Sequence, residues 1–239
     1  MSQDSDPGLP DIVQLHGLSV PIDRRVMSDK IVESIRSGRY EMAETARLPA
    51  LVRPGERVVE IGAGIGLLTA LVAIRTLAAE VVAIEANPAL QPYIAELYRL
   101  NGAHVALRQA LVTPEPAGSV ATLHVHEDLW ASSSGWIKRR YRVADVEVPA
   151  LSLPEIAAEY APTLLIVDVE PLAAWAEAPA PPHALDGADF RPFARVLVEL
   201  KPKRFPPPQA ERVFDLFAAQ GFARADGDPG DPLVLFERL

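Results

Sequence analysis

The residues best suited to chemistry lie in a glycine-rich segment at residues 58–66, which reads Val-Val-Glu-Ile-Gly-Ala-Gly-Ile-Gly. A short β-branched run that ends in glycines predicts a buried strand turning sharply into a helix. Such a turn brings the backbone close to a ligand, and the free N–H groups at the start of the helix attract polar groups of that ligand. The segment therefore predicts a nucleotide site built by Gly62, Ala63, Gly64 and Gly66.

The spacing of this turn distinguishes between cofactors. The dinucleotide pattern G-x-G-x-x-G needs a glycine where this sequence has Leu67, so NAD is disfavoured. Glu85 ends the next predicted strand, 23 residues after Gly62, and an acid at about that distance reaches ribose hydroxyls in Rossmann-like folds. Glu60, just before the glycines, could reach a cationic amine. An amine, a ribose and an adenine without a pyrophosphate describe S-adenosylmethionine, so the motif favours a methyltransferase.

Six further residues complete the predicted cofactor site. Two follow the acid that ends the second strand, and two lie at the end of the third strand, where a side-chain amide and a backbone amide could bind the adenine edge. The last two are held above the sheet by N-terminal helices and could close over the methionine moiety, although structural packing is an alternative role for this pair. In that order the residues are Ala86 and Asn87, Gln109 and Ala110, and Tyr40 and Glu41.

The candidate catalytic residues end a predicted central strand. Methyl transfer is an in-line displacement, so the protein must hold the acceptor in line and accept its proton. An almost unbroken apolar run at residues 163–169 predicts a buried strand next to Asp168 and Glu170. Asp168 is the candidate base or orienting acid, because ligands bind at the carboxyl ends of strands in open α/β sheets. Glu170 could share that role or bind a divalent cation with Asp168, while helix capping is the alternative for either acid.

A predicted loop combines small hydroxyl side chains with flanking tryptophans. Trp130, Ser132 and Ser133 are its candidate substrate-binding residues, because aromatic and hydroxyl groups together suit a polar small molecule. A plain turn with buried tryptophans is the alternative. His124 and His126 point to one side of a strand, and the lack of a third ligand favours an ordinary polar face over a metal pair, so the need for a metal is left open.

The elements that position these residues alternate between strand and helix from residue 57 onward. This alternation is typical of a parallel sheet with helices on both faces. The expected fold is a Rossmann-like, doubly wound α/β sheet, mostly parallel, with a C-terminal antiparallel hairpin and an inserted strand pair at 120–126 and 142–148. A cap made of a hairpin and helices precedes the sheet. Asn87 and Pro88 predict the first residues of a helix over 88–100, with Asn87 as its cap.

The 239 residues suit a single α/β domain. Residues 1–11 are expected to be a disordered tail, 12–55 the N-terminal cap, and 56–239 the Rossmann-like core. The exposed hairpin of the cap gives a slight indication of a homodimer.

Charge and composition narrow the partners. The formal net charge of −9 argues against a nucleic-acid partner, because phosphate binding needs a clustered basic surface. A small-molecule acceptor is expected instead. The absence of cysteine excludes disulfides and thiolate metal sites and favours a reducing cytoplasm. No apolar stretch of membrane-spanning length is free of proline and charge, so no membrane association is expected.

Four segments and one later acid carry a resemblance to a known family. They are Gly-Arg-Tyr-Glu at 38–41, the glycine turn, Ile-Glu-Ala-Asn-Pro at 84–88, Leu-Leu-Ile-Val-Asp-Val-Glu at 164–170, and Glu199. Together they resemble the FkbM-like class I S-adenosylmethionine-dependent methyltransferases over roughly residues 12–239. The resemblance implies methylation of a hydroxyl on a sugar or another small polar metabolite.

The sequence departs from that family near the candidate base. The family usually carries a lysine two residues before the strand-end aspartate and a Gly-x-Glu after the Asp-x-Glu, whereas this chain has Ile166, Pro171 and Ala173. The resemblance therefore supports the predicted cofactor-binding residues better than the predicted catalytic residues. A non-catalytic protein that binds the cofactor or a partner on the same fold stays open as an alternative, and an NAD-binding oxidoreductase is less favoured.

Overall fold

The computed structural model describes residues 11–113, 120–126, 142–168, 188–200, 207–226 and 233–239. Seven strands form its central sheet. In the order in which they lie side by side, they are β11 (Phe222–Asp226), β12 (Leu233–Arg238), β10 (Arg195–Glu199), β9 (Leu164–Val167), β3 (Arg57–Ile61), β4 (Glu80–Glu85) and β5 (Ala106–Gln109). Strand β12 is antiparallel to β10 and β11, while the other neighbouring pairs are parallel. The prediction of a mostly parallel sheet with a C-terminal antiparallel hairpin is confirmed.

Helices cover both faces of this sheet, because its central strands are apolar on both sides. The helices are α1 (Asp29–Arg36), α2 (Met42–Leu51), α3 (Leu67–Arg75), α4 (Gln91–Asn101), α5 (Leu153–Tyr160) and α6 (Pro207–Ala219). Val58 points to the face on which Leu48 of α2 and Leu68 of α3 pack. Val59, the next residue, points to the opposite face, which includes Phe217 of α6. Period-two alternation thus buries successive residues of one strand in two different parts of the core.

The strand order reverses between β3 and β9. From β3 the chain proceeds outward through β4 and β5, whereas β9 and β10 lie on the other side of β3. In open α/β sheets such a reversal leaves a crevice at the carboxyl ends of the strands, where ligands bind. The backbone N–H of Asp168 donates to the carbonyl of Ile61 at 3.0 Å. This bond fixes the candidate base beside the start of the glycine turn.

The N-terminal cap is attached to the core by specific hydrogen bonds. Its hairpin consists of β1 (Ile12–Leu15) and β2 (Leu18–Pro21). The side chain of Asn101 accepts from the N–H of Ser19 at 2.7 Å and donates to the carbonyl of Ser19 at 2.9 Å. The hydroxyl of Tyr93 donates to the carbonyl of Pro21 at 2.8 Å. The hairpin is therefore fixed on α4, and the homodimer stays a prediction.

The inserted strands differ in part from expectation. Strands β7 (Val120–His126) and β8 (Arg142–Ser152) pair antiparallel, as predicted. However, β8 is longer than expected and also pairs in parallel with β6 (Leu111–Thr113), a short strand that the sequence did not reveal. His124 Nδ1 lies 2.7 Å from Asp145 on the neighbouring strand. This contact fits the polar-face interpretation of the histidine pair.

The predicted start of the second core helix at residue 88 is wrong. Helix α4 begins at Gln91. Asn87 instead forms a turn in which its Oδ1 accepts from the N–H of Ala89 at 3.0 Å, while its own N–H donates to the Glu85 carboxylate at 2.7 Å. Glu85 therefore holds Asn87 at the sheet edge, so the helix begins later than predicted.

Among the described residues, no helix is both long enough and apolar enough to cross a bilayer.

Replacing Gly66 by alanine should destabilise the fold more than replacing Gly102 by alanine. Both glycines have positive φ angles, +80° and +61°, so each substitution costs roughly 1 kcal/mol in backbone strain. A Cβ at residue 66 would also lie 2.8 Å from Ile94 Cγ2 and 2.9 Å from the Tyr98 hydroxyl, whereas nothing lies within 4 Å at residue 102. Gly66→Ala should lose about 1–3 kcal/mol more free energy of unfolding in urea. Equal losses would contradict the packing role given to Gly66.

Candidate functional site

The glycine turn has the conformation that its sequence predicts. Gly62, Gly64 and Gly66 have φ angles of +84°, +56° and +80°, which other residues adopt only with strain. The last of these glycines caps the N-terminus of α3. A Cβ at Gly64 would meet only the Tyr40 hydroxyl, at 3.9 Å. The space next to Gly64 is therefore open, and Tyr40 lies at its far side.

Glu85 fastens the turn to the next strand. One carboxylate oxygen accepts from the N–H of Gly64 at 2.9 Å, and the other accepts from the N–H of Asn87 at 2.7 Å. Burial raises the pKa of Glu85 to about 7, and the backbone N–H groups oppose this shift because they stabilise the charged form. Each carboxylate oxygen can accept a second hydrogen bond. Glu85 is thus able to bind ribose hydroxyls without releasing the turn.

The residues predicted to bind adenine lie beside Glu85. Gln109 is the register partner of Glu85 on β5, and the N–H of Ala110 donates to the carbonyl of Glu85 at 3.3 Å. Ala86 packs partly buried against the small apolar cluster under the inserted strands. Asn87 is buried, and its Nδ2 has no hydrogen-bond partner within the part of the chain that the structure describes. The structure thus brings these predicted residues together at one edge of the sheet.

Glu60 lies below the turn, on the face of β3 that α2 and α3 cover. Only 1% of its surface is exposed. The hydroxyl of Thr69 hydrogen-bonds to its carboxyl group, while its Oε2 has no hydrogen-bond partner among the described residues. Burial, together with the nearby carboxyl groups of Asp168 and Glu41, raises the pKa of Glu60 well above its ordinary value. The protonated form of Glu60 is therefore favoured more than that of an exposed glutamate.

Three acids meet near the carboxyl ends of β9 and β10. Carboxylate oxygens of Glu41, Asp168 and Glu199 all lie within 4.8 Å of one another. Glu199 follows the pairing of Val198 with Val167, so it ends β10 directly beside Asp168. Glu199 is buried and hydrogen-bonds to the Asp168 carboxyl group, and both effects raise the pKa of Glu199. A hydrogen bond between two carboxyl groups requires a shared proton.

Sequence reasoning did not identify Glu44 as a member of this group and did not derive Glu199 from the pattern of residues. Glu44 is buried and also hydrogen-bonds to Glu199. Its spacing from Glu41 is i+3, which places both on one helical face and was the available signal. Glu199 had entered only through the family resemblance. No local pattern marks it as a site residue, because its neighbour Asp168 is distant in sequence.

Tyr40 and Glu41 are held over the site by the cap. His16 Nε2 lies 2.7 Å from the carbonyl oxygen of Tyr40. Glu41 has a φ angle of +51° and is the N-cap residue of α2, and the hydroxyl of Thr45 donates to its carbonyl at 2.7 Å. Burial and nearby carboxyl groups raise the pKa of the Tyr40 hydroxyl well above its ordinary value. A non-glycine residue at positive φ costs energy and occurs preferentially at functional positions.

Several predicted residues lie outside the described part of the chain. They are Glu170, Trp130, Ser132 and Ser133, together with the departures Pro171 and Ala173. Ile166, the third departure, is buried in the core on β9. An apolar side chain therefore occupies the position at which the resembled family carries a lysine.

The described residues fit S-adenosylmethionine on three counts. Gly64 leaves open space where a side chain would block a ligand. Glu85 presents a carboxylate suited to a ribose diol. Glu60 offers a buried oxygen with no hydrogen-bond partner in the described ranges, which suits an amine. These three features lie along the carboxyl ends of the neighbouring strands β3 and β4.

A family model agrees with this geometry. Residues 25–112 match the model of the TRM5/TYW2 methyltransferase domain. The matched segment begins in the cap and contains the glycine turn, Glu85 and Ala110. S-adenosylmethionine is the cofactor, and the chain is a methyltransferase. No curated protein matches this sequence.

Solved methyltransferase structures are similar to this chain at low identity. TYW2 of M. jannaschii in complex with AdoMet is 15% identical, with 95% of this chain and 86% of that chain covered and a TM-score of 0.48. Precorrin-6y C5,15-methyltransferase of Geobacter metallireducens is 11% identical, with coverage of 91% and 95% and a TM-score of 0.47. Trm5b of Pyrococcus abyssi is 14% identical, with coverage of 94% and 53% and a TM-score of 0.48.

The expectation that nucleic acid is not a partner is wrong. The TRM5/TYW2 proteins, whose domain model matches residues 25–112, act on tRNA. Net charge misled because it averages over the whole chain. The matched segment holds ten Lys and Arg residues against nine Asp and Glu residues. Four of those nine acids are site residues, namely Glu41, Glu44, Glu60 and Glu85, so the rest of the segment is basic. The FkbM-specific assignment is not confirmed.

Replacing Glu85 by alanine should weaken binding of S-adenosylhomocysteine. The change removes the acceptor of the Gly64 and Asn87 N–H groups and the carboxylate assigned to the ribose. The loss should be about 1.5–3 kcal/mol, or roughly 10- to 150-fold in Kd, measured by calorimetry. Glu80→Ala, at the exposed opposite end of the same strand, is the control. Unchanged affinity in Glu85→Ala would show that the ribose binds elsewhere.

Proposed function

We propose that this methyltransferase transfers the methyl group of S-adenosylmethionine to a nucleobase of an RNA. The observation that carries the proposal is the match of residues 25–112 to the TRM5/TYW2 methyltransferase domain, because this segment includes the predicted cofactor site up to Ala110 and much of the cap. The cofactor supplies a methyl group on a positively charged sulfur. The protein must bind it, hold the acceptor in line and accept a proton.

On the acceptor side, Asp168 is the group proposed to accept or orient that proton. Its position is fixed by the bond from its N–H to the Ile61 carbonyl at 3.0 Å, next to the glycine turn. Its carboxyl group is hydrogen-bonded to Glu199, which restricts its orientation. A nucleobase N–H could donate to Asp168 before methylation and lose its proton to the same carboxylate. Glu170 is proposed as a second acid, on the sequence alone.

The cap offers a surface suited to RNA phosphates. Five Lys and Arg residues lie between positions 24 and 39, immediately before Tyr40. The arginines pair with acids in ion pairs whose arginine side chains are about half or more exposed, such as Arg36 with Asp11 and Arg39 with Glu33. Exposed pairs of this kind contribute little stability, so phosphate groups can replace the acidic partners. This surface adjoins the acceptor side of the site through Tyr40 and Glu41.

A second candidate is O-methylation of a small polar metabolite or a sugar hydroxyl. The Asp-Val-Glu end of the segment at 164–170, which resembles the FkbM-like group, favours it. A non-catalytic protein that binds the cofactor is the third reading, supported by the departures at Ile166, Pro171 and Ala173. A cytoplasmic location and the division into tail, cap and core also stay proposals.

Transfer of a labelled methyl group to unfractionated tRNA and to a panel of sugars, hydroxy acids and phenols separates these functions. The proposal predicts labelled nucleosides after digestion of the tRNA. It also predicts a rate that falls as salt rises, because phosphate contacts release counterions. Label in a small hydroxyl acceptor alone would establish the second candidate. Binding of the cofactor without label in any acceptor would support the non-catalytic reading.

Replacing Asp168 by asparagine should lower turnover by about 10²- to 10⁴-fold, the usual effect of a positioned acid or base. The change keeps the shape of the side chain but removes the charge. Affinity for S-adenosylhomocysteine should change little, since Asp168 is not among the residues assigned to the cofactor. Single-turnover methyl transfer and calorimetry measure the two effects, with Asp215→Asn, at an exposed position of α6, as the control. Full turnover in Asp168→Asn would mean that another group accepts the proton.

A further inference from the structure

Glu60 has a buried carboxyl oxygen that no described residue hydrogen-bonds. Only 1% of its surface is exposed, and its Oε2 forms no hydrogen bond within the described ranges. The Thr69 hydroxyl hydrogen-bonds to its carboxyl group and lies 2.6 Å from the hydroxyl of Tyr98. These hydroxyls fix the orientation of Glu60 but bring no positive charge. A buried polar atom without a partner costs free energy unless a ligand satisfies it, and protonation removes the additional cost of a buried charge.

The groups that face Glu60 are apolar, hydroxylic or acidic. Its register partners on the two neighbouring strands are Ala83 and Ile166. From the ends of β9 and β4 it faces Asp168 and Glu85, and from the start of α2 it faces Glu41; all three disfavour a further negative charge. Helices α3 and α4 contribute the Thr69 and Tyr98 hydroxyls. Burial is the largest cause that raises the pKa of Glu60, and the three acids add to it.

The cofactor carries an ammonium group, whose positive charge would favour the ionised form of Glu60. Its methionine part ends in an ammonium group, and S-adenosylhomocysteine carries the same ammonium group without the sulfonium charge. Methylthioadenosine keeps the adenine, ribose and sulfur but lacks the amino-acid part, with both its ammonium group and its carboxylate. A cation near a buried acid favours the ionised form. The two ligands therefore separate the effects of the amino-acid part, in which the ammonium group is the only positive charge, from the effects of nucleoside binding at Glu85.

We propose that Glu60 holds a proton in the cofactor-free protein and releases it to solvent when the ammonium group of the cofactor binds. The O–H bond of the carboxyl group breaks, the carboxylate pairs with the ammonium group, and the proton leaves to the buffer. Cofactor affinity then rises with pH, by up to about tenfold per unit, while Glu60 is protonated in the free protein and ionised in the complex. Cofactor capture is thereby coupled to the charge of the site.

Calorimetry in buffers with different ionisation enthalpies tests the proposal, because the slope of the binding enthalpy gives the number of protons exchanged. At pH 7, S-adenosylhomocysteine should release up to about one proton more than methylthioadenosine. In Glu60→Gln this extra release should disappear. In Glu80→Gln, at the exposed far end of β4, it should persist. Binding of methylthioadenosine by the Glu60→Gln protein shows that its site is folded.

Equal proton exchange for the two ligands in the parent protein would overturn the proposal. So would an extra release that persists in Glu60→Gln. The comparison of the two ligands in the parent protein is decisive without the variant. It therefore still tests the proposal if Glu60→Gln fails to fold. No acceptor is present in these titrations, so their outcome is independent of whether the acceptor is an RNA.

Discussion

The concentration of carboxyl groups at one edge of the sheet governs the rest of the site. Glu60 and Asp168 stand at the ends of adjacent strands, Glu199 ends the strand beyond, and Glu41 and Glu44 approach from α2. So many acids cannot all be ionised in a buried crevice. Shared protons and a cationic cofactor are the available compensations. The site is therefore prepared for a positively charged ligand before that ligand binds.

The fold supplies this arrangement through two attachments. Glu85 links the glycine turn to the end of β4 through the N–H groups of Gly64 and Asn87. The cap is fixed on α4 through Asn101 and Tyr93, and it carries Tyr40 to the open space beside Gly64. The first attachment fixes the glycine turn, and the second places Tyr40 over it. The same cap contains the basic residues proposed to bind RNA.

Features formed by residues close together in the sequence were predictable, whereas contacts between residues distant in the sequence were not. The turn and Glu85 follow from spacing along a single strand-turn-helix unit. The start of α4 was predicted wrongly because the Glu85 carboxylate binds the Asn87 N–H, a competition that propensity does not include. Glu199 meets Asp168, and Glu44 meets Glu199, only through tertiary packing. The partner prediction failed for a related reason: net charge is a sum, and here acids gather inside the site while arginines lie on the cap.

A crystal structure with S-adenosylhomocysteine tests the central claim most directly. The account predicts ribose hydroxyls on the Glu85 carboxylate, the ammonium group beside Glu60, and the sulfur facing Asp168 across the crevice between β3 and β9. A ligand whose ribose does not contact Glu85, or whose sulfur faces away from Asp168, would contradict it.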